Sequence, residues 1–285
     1  MTASNGKPAS GPKVVVLGID GVPFTFIKKR MEEGAFKNLK RIAGMGDMKQ
    51  MNSVYPPISS VAWATFMTGK NPAKHGILGF VDRIPKNMAM KIPTSVDMKS
   101  KTLWEILSDH DKKVVAMNVP GSYPPRKVNG KLISCFLCTN IDKGTHPPEL
   151  AAQLKDRGYV IDVDPWKARK DKDGFLDDLF HALERRLDTT AWLLESEQPD
   201  FLISHIMETD RISHFFWEYM ENGDPKYAPR CLDFFEKVDE FIGVIESKLP
   251  DDTVLIVMSD HGFCTLKKEV YLNVALEEAG FLKLA

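Results

Sequence analysis

The chain has 285 residues, of which 43% are hydrophobic, enough for one large domain or two smaller ones with real cores. Lysine and arginine (38) nearly balance aspartate and glutamate (39), so no global field draws the chain to nucleic acid or to an anionic membrane, and an anionic substrate requires a local site. No stretch approaches the ~18 to 20 apolar residues that a membrane span requires.

The first segment, residues 1–12, is polar and rich in Gly, Ser and Pro. Because no apolar region follows its basic residues, we interpret it as a flexible leader and not as a signal peptide, which predicts a cytoplasmic location. The four cysteines fit this location, since an intracellular chain of this size needs no disulfide framework. Cys135 and Cys138 have the spacing of a metal or redox pair, but they lie in the apolar run LISCFLC and are expected to be buried, inert thiols.

Residues 13–285 are predicted to form one α/β domain with a mostly parallel central sheet flanked by helices, because short apolar runs alternate with amphipathic stretches of helical length. The predicted strands, in chain order, are Val14–Ile19, Val114–Asn118, Leu132–Phe136, Tyr159–Val163, Phe201–Ile206 and Val254–Met258. The predicted helices cover residues 24–34, 59–69, 101–110, 175–197 and 231–249, with a further one carrying the motif TDRISHFFW.

Two regions interrupt this alternation, at about 78–100 and about 120–173, and both carry prolines, lysines and weak periodicity. Insertions after strand ends in α/β proteins tend to overhang the ligand crevice, so these segments are expected to form a cap or lid. The alternative, that they are surface loops without a role, stays open.

Two candidate site residues occur early in the chain. Asp20 ends the first predicted strand, where its carboxylate can bind a metal or cap the following helix. Ser59 begins a predicted helix, among free N–H donors at the positive end of the helix dipole, which favours an ionised hydroxyl and a bound phosphate oxygen. The alternative is that Ser59 or Ser60 is only the N-cap of that helix.

Two further candidate pairs occur later. Asp210 and His214 are four residues apart on a predicted helix, which stacks both side chains on one face, close enough to bind one cation. Asp260 and His261 follow the last predicted strand, and they can serve one site only if the chain leaves the strand before or between them, a departure that Gly262 makes easy. An intrahelical surface pair and a simple strand-end turn are the respective alternatives.

Together these residues form a set of three carboxylates, two imidazoles and a hydroxyl: Asp20, Ser59, Asp210, His214, Asp260 and His261. Oxygen and nitrogen ligands together suit zinc or manganese, whereas calcium and magnesium prefer oxygen alone. The set therefore predicts a site for two divalent metal ions, with zinc favoured and manganese as the alternative.

In order along the chain, the motifs GIDG, PPISSVAWATFMTGKNPAKHGI, TDRISHFFW and VMSDHGF resemble those of the type I phosphodiesterase/nucleotide pyrophosphatase family of the alkaline phosphatase superfamily. The resemblance runs from Val14 nearly to Ala285. It implies that Ser59 is the nucleophile and also a ligand of the first metal. It further implies that Asp20, Asp260 and His261 complete that first site, and that Asp210 and His214 bind the second metal.

The sequence departs from the family pattern at two points. The family takes a further histidine for the second metal from a downstream segment, whereas no histidine follows His261 here. We therefore expect either a C-terminally truncated chain or a second site of two protein ligands and water. Nucleotide pyrophosphatases also place an asparagine where Phe80 stands, so oxyanion stabilisation is expected from backbone N–H groups around Ser60, or from Lys74 or Arg83.

The predicted function is metal-dependent hydrolysis of a phosphodiester or pyrophosphate bond in a small phosphorylated substrate, through a serine phospho-enzyme intermediate. The alternatives are a catalytically impaired fragment or binding module that keeps the fold, and a phosphoglycerate mutase-like or phosphomonoesterase activity. His205 and His181 are expected to be packed or solvated, and His75 to have a local structural role. The substrate and the oligomeric state are left open.

Overall fold

A computed structural model describes residues 13–283, and the expected leader at 1–12 lies outside this range. Its main element is a six-stranded sheet. The strands of this sheet are β1 (Val14–Ile19), β4 (Val114–Met117), β5 (Gly130–Ile133), β6 (Thr145–His146), β7 (Phe201–Ile206) and β8 (Val254–Met258). They lie in the order β6-β5-β4-β7-β1-β8. A separate two-stranded sheet pairs β2 (Asp82–Arg83) with β3 (Met90–Lys91).

The sheet is mostly parallel, as predicted: β1 pairs in parallel with both β7 and β8, β4 pairs in parallel with β7 and β5, and only β6 is antiparallel to its neighbour. All six residues of β7 are buried, which is typical of a central strand covered on both faces. The edge of the sheet formed by β8 is open, since β8 is only partly buried and Val254 is 56% exposed.

Helices cover both faces. In chain order they are α1 (Phe24–Glu32), α2 (Lys37–Met45), α3 (Ser59–Thr68), α4 (Pro72–His75), α5 (Leu103–Asp109), α6 (Leu150–Asp156), α7 (Lys167–Lys170), α8 (Lys172–Glu197), α9 (Glu208–Glu221), α10 (Tyr227–Ser247) and α11 (Leu272–Glu278). Helices α3 and α5 pack on one face of the sheet, where Trp63 and Trp104 are fully buried. Helices α8, α9 and α10 pack on the other face and form the larger core, which includes Phe175 and Phe216.

Three strand predictions differ from the structure. Val114–Asn118 is one residue too long, because β4 ends at Met117. Leu132–Phe136 is placed too late, because β5 covers Gly130–Ile133. Tyr159–Val163 is wrong, since this segment forms no strand. Its backbone is held by side chains and not by a ladder, because the buried Arg186 donates to the carbonyl oxygens of Val160 and Ile161 at 3.2 and 3.1 Å.

The two segments expected as insertions differ in structure. Residues 78–100 contain the β2–β3 hairpin, which lies apart from the main sheet. Residues 120–173 contain β5 and β6, so part of this segment belongs to the central sheet.

Cys135 and Cys138 are buried and free, as predicted. Among the described residues, no helix combines the length and the apolar character that crossing a bilayer demands.

Candidate active site

Asp20 follows β1 directly and is 1% exposed. Four side chains approach its two oxygens. Oδ1 accepts a hydrogen bond from Ser59 Oγ at 3.1 Å and lies 3.4 Å from His261 Nε2. Oδ2 accepts from Trp63 Nε1 at 3.0 Å and lies 2.7 Å from His205 Nε2. This carboxylate is therefore fixed in position by donors from other parts of the fold.

Asp260 and His261 follow β8, and the chain leaves the strand before them. Ser259 fixes this departure, since its Oγ accepts from Val22 N at 2.9 Å and donates to His261 O at 2.7 Å. Asp260 Oδ1 accepts from Gly21 N at 3.2 Å. The two side chains therefore face the same site. This is the condition for a shared role, which needs the chain to leave the strand before or between these residues.

Ser59 begins α3, and the residue in the N-cap position is Ile58. The Ser59 hydroxyl does not cap the helix; its Oγ contacts Asp20 and lies 3.0 Å from His261 Nε2. The N-cap alternative is thus not what the structure shows for Ser59. The hydroxyl instead lies between a carboxylate and an imidazole, at the positive end of a ten-residue helix.

The first predicted metal site has a compact donor set. One ligand atom from each of Asp20, Asp260 and His261 lies within 4.8 Å of the other two. Asp260 Oδ2 is buried without a hydrogen-bond partner, which is costly unless a cation or another donor meets it. Carboxylate and imidazole donors at this spacing fit a divalent metal ion.

The electrostatics of the cluster also favour a cation. Burial, reinforced by the charge of Asp210, raises the pKa of Asp20 to about 7. Burial, reinforced by the charge of Asp20, raises the pKa of Asp260 to about 7 as well. Burial alone would lower the pKa of His261, but the charges of Asp260 and Asp20 outweigh it and raise that pKa. A bound cation would stabilise both carboxylates in their ionised form.

Asp210 and His214 lie on α9, and His214 Nε2 is 3.4 Å from Asp210 Oδ1. Asp210 is buried, whereas the His214 side chain is 56% exposed. Burial opposes ionisation of Asp210, but the hydrogen bond and charge of His214 outweigh it and lower the Asp210 pKa. Within residues 13–283, no third imidazole, thiol or carboxylate joins this pair in a cluster of metal-ligand spacing.

Gly21 separates the two candidate metal sites. A Cβ atom at this position would lie 3.2 Å from both Asp210 Oδ1 and His261 Cε1, and the backbone has a φ of +70°. Glycine is therefore needed here, because a side chain would crowd these two atoms and because other residues rarely adopt this left-handed conformation. Asp210 and His261 therefore both border the space that the missing side chain leaves, so the α9 pair lies close to the first cluster.

Several contacting residues were not predicted. His205 was expected to be merely packed or solvated; it is fully buried, and burial lowers its pKa to about 4. The neutral ring therefore donates from Nε2 to Asp20. Trp63 and Arg211 were also missed; the guanidinium of Arg211 binds Asp162 with Nε and Nη2, and its Nη1 lies 3.9 Å from Asp210 Oδ2.

Lys74 and Arg83, the two cationic side chains considered for oxyanion stabilisation, are not among the side chains that contact Ser59 or Asp20. Lys74 is exposed and follows the C-terminal end of α3, whereas Ser59 begins that helix. Arg83 is exposed on β2 and donates to Met88 O at 2.9 Å. His75 has the expected local role, since it is buried and lies 3.0 Å from Thr65 Oγ1 through Nε2.

Comparison with known proteins gives a family match over nearly the whole chain. Residues 14–285 match the family model described as type I phosphodiesterase / nucleotide pyrophosphatase. No curated protein matches the sequence.

Two solved proteins share the fold. Phosphonoacetate hydrolase from Sinorhizobium meliloti 1021, in complex with phosphonoformate, is 19% identical with a TM-score of 0.68, over 94% of this chain and 62% of that one. Murine ectonucleotide pyrophosphatase/phosphodiesterase 5, in complex with AMP, is 17% identical with a TM-score of 0.53, over 88% of this chain and 57% of that one. The present chain thus spans less than two thirds of the length of either protein.

Proposed function

Since the chain belongs to the type I phosphodiesterase / nucleotide pyrophosphatase family, we propose that it hydrolyses phosphoric esters with Ser59 as the nucleophile. The observation that carries this proposal is the position of the Ser59 hydroxyl. Its Oγ lies within hydrogen-bonding distance of both Asp20 and His261, at the N-terminus of α3. The hydroxyl is not used to cap α3 but faces a buried carboxylate and an imidazole, which is the position that a nucleophile at a metal site requires.

Two divalent cations complete the proposed site. Asp20, Asp260 and His261 would hold the first, and Asp210 with His214 the second, with zinc favoured over manganese by the mixed oxygen and nitrogen donors. When bound, such ions lower the pKa of hydroxyl groups and offset the charge that develops on phosphoryl oxygens. With two ligands and an exposed imidazole, the second site is expected to bind its ion more weakly than the first.

The chemistry of the chain's own residues then follows in two balanced steps. Ser59 gives its hydroxyl proton to solvent, and its Oγ forms a bond to phosphorus while the bond from phosphorus to the ester oxygen breaks. The departing oxygen takes a proton from water and leaves as an alcohol. A water molecule then attacks phosphorus, the Ser59 Oγ–phosphorus bond breaks, and Ser59 regains a proton. The net reaction of a diester is the addition of one water to give a monoester and an alcohol.

Other residues of the site position the groups that react. Trp63 and His205 hold Asp20 Oδ2, which leaves Oδ1 directed toward Ser59. The free N–H groups at the start of α3 provide partial positive charge beside a phosphoryl oxygen. Arg211 adds a guanidinium next to Asp210, with its Nη1 3.9 Å from Asp210 Oδ2.

The proposal is tested by mass spectrometry and by turnover. The metal content of the purified protein is measured, and hydrolysis of bis(4-nitrophenyl) phosphate and 4-nitrophenyl phosphate is compared for wild type, Ser59→Ala, Ser59→Thr and the surface control Ser247→Ala. We expect turnover with zinc or manganese in wild type and Ser247→Ala, partial turnover in Ser59→Thr, and loss of at least a thousandfold in Ser59→Ala. Acid quenching should trap a phosphorylated Ser59 peptide. Turnover that survives in Ser59→Ala would refute the nucleophile.

A further inference from the structure

Asn118 follows β4 directly, and its side chain is fully buried. Neither Oδ1 nor Nδ2 of its amide has a hydrogen-bond partner within residues 13–283. A buried polar atom left in this state costs about 1–3 kcal/mol, and nearly all such atoms in folded proteins are paired. The Asn118 amide therefore points to a polar ligand that meets it inside the protein.

The backbone conformation alone does not explain this amide. Asn118 has a φ of +60°, in the left-handed region that glycine and asparagine adopt most readily. Glycine would take up this conformation without burying two polar atoms. The conformation thus accounts for the few residue types that fit here, but not for the presence of an amide.

A second unpartnered atom belongs to His205 on β7. This residue is fully buried, and its Nε2 donates to Asp20 Oδ2 at 2.7 Å. A neutral imidazole with its proton on Nε2 has a lone pair on Nδ1, so Nδ1 can only accept. No group in the described part of the chain donates to it. A donor at Nδ1 would hold the ring in the tautomer that directs the Nε2 proton to Asp20.

The sheet brings Asn118 and His205 side by side. In the strand order β4-β7-β1, β7 lies between the strand that Asn118 follows and the strand that Asp20 follows. Strands β4 and β7 pair in parallel as far as Met117 and Ser204, so Asn118 and His205 are the next pair in this register. Neighbouring strands lie about 4.8 Å apart, which leaves these two residues adjacent.

Both residues also belong to the same face of the sheet. Ser204 faces α8, since its Oγ lies 2.8 Å from Thr190 Oγ1. Because side chains alternate along a strand, His205 faces the opposite side, where the Trp63 ring packs on it with centroids 4.7 Å apart. Asn118, its neighbour in register, belongs to that side as well.

We propose that Asn118 is a positioning residue that holds one buried water molecule against His205 Nδ1. The water accepts a hydrogen bond from Asn118 Nδ2 and donates one to Nδ1, so the Nε2 proton remains on Asp20 Oδ2. Water fits this place because it both accepts and donates, and because buried waters have two to four polar partners. The other oxygen of Asp20 then stays directed at Ser59. The inference rests on the proposed function for the importance of Asp20.

The first test observes the His205 ring in zinc-free protein at pH 8. Nitrogen-15 spectra of histidine-labelled protein report which ring nitrogen carries the proton and whether Nδ1 accepts a hydrogen bond, and His205→Leu identifies the resonance. We expect a single Nε2-protonated tautomer with a hydrogen-bonded Nδ1 in wild type. Asn118→Gly, which suits the φ of +60°, should lose that hydrogen bond, since the space it leaves holds water poorly without the amide. An unchanged Nδ1 resonance overturns the proposal.

A crystal structure of wild type tests the water itself. An ordered water should lie within about 3.2 Å of both the Asn118 amide and His205 Nδ1. The same position should be unoccupied in Asn118→Leu, whose apolar side chain fills the space. Absence of the water from wild type removes the assignment. The leucine variant also keeps the spectroscopic test available if Asn118→Gly lowers stability.

Calorimetry with zinc then measures whether Asn118 acts through His205. Asn118→Gly should weaken binding at the tighter site by about threefold to tenfold, the equivalent of one hydrogen bond. In a His205→Leu background the same change should have no further effect. The control Ser204→Ala removes a buried hydrogen bond from the other face of β7 and should keep the zinc affinity. Unchanged affinity in Asn118→Gly, or losses that add in the double variant, overturn the positioning role.

These measurements separate this inference from the proposed function. A protein that hydrolyses no phosphoric ester, but whose His205 Nδ1 loses its hydrogen bond in both Asn118 variants, refutes the function and supports the water site. A protein that shows zinc-dependent turnover with an Nδ1 resonance insensitive to both variants keeps the function and loses this inference.

Discussion

Replacing Asp20 by Asn changes how the stability of the metal-free protein depends on pH. Asp20 and Asp260 are both buried, and burial raises the pKa of each to about 7 from an ordinary 3.8; the charge of Asp210 reinforces this for Asp20, and the charge of Asp20 reinforces it for Asp260. In the unfolded chain the same carboxyls ionise near their ordinary value. Between pH 4 and pH 7 the folded protein therefore binds more protons than the unfolded chain, and its stability falls as pH rises.

The magnitude follows from the pKa of one carboxyl. A pKa of about 7 against 3.8 corresponds to about 4 kcal/mol, at roughly 1.4 kcal/mol for each pH unit. We count one carboxyl, because the repulsion between Asp20 and Asp260 is shared by the pair. Only the part of this shift between pH 5 and the folded pKa of about 7 lies in the measured range, so metal-free wild type should lose about 3 kcal/mol of unfolding free energy between pH 5 and pH 8. Asp20→Asn removes the repulsion on Asp260 but not its burial, so it should lose less than wild type does.

Urea unfolding in the presence of a chelator measures these free energies at pH 5, 6.5 and 8. Zinc at pH 8 should restore wild type and have little effect on Asp20→Asn, since only the former keeps the full donor set. The matched control is Asp239→Asn, a buried carboxylate that accepts from the backbone N–H groups of Asn38 and Leu39 at 3.0 and 2.7 Å. It should be less stable, because it weakens those two contacts, while it leaves the Asp20 and Asp260 pair intact. Equal slopes for wild type and Asp20→Asn would refute the reasoning.

Three further predictions concern the site and its support. His205→Leu should weaken zinc binding by about tenfold to a hundredfold in calorimetry, because it removes a donor that orients Asp20; unchanged affinity would contradict this role. His214→Ala should lower the zinc content, measured by mass spectrometry, from two ions to one, and loss of both ions would show that the two sites are not separable. Gly18→Ala should cost about 1–3 kcal/mol in urea unfolding, because the new Cβ would lie 2.4 Å from Trp63 Cη2, whereas Gly44→Ala, with nothing within 4 Å, should be neutral or stabilising.

The strands that carry the site were predictable, because β1, β7 and β8 are short apolar runs bounded by turn residues, and their ends match the predicted ones. Asp20, Asp210 and Asp260 occur at or just beyond these strands, so the rule that ligands bind at the carboxyl ends of parallel strands placed them together.

What was not predictable depends on contacts between distant segments. Arg186, on α8, satisfies the backbone carbonyls of Val160 and Ile161, and this contact replaces the strand that the local pattern of apolar residues indicated. The role of His205 could not be predicted from the sequence either, because its partner Asp20 lies 185 residues away along the chain. Local periodicity reports burial, but it does not report which polar atom a buried side chain meets.

The motif GIDG shows how close packing fixes the chemistry of this site. Gly18 pairs in register with His205 across β1 and β7, so both positions face the same side of the sheet. Because Gly18 has no side chain, the Trp63 ring lies against the strand and packs edge to face on His205, with centroids 4.7 Å apart. That packing directs both N–H groups to one oxygen of Asp20, and Gly21 then opens the space toward Asp210. The two glycines therefore determine where the carboxylate points and what can approach it.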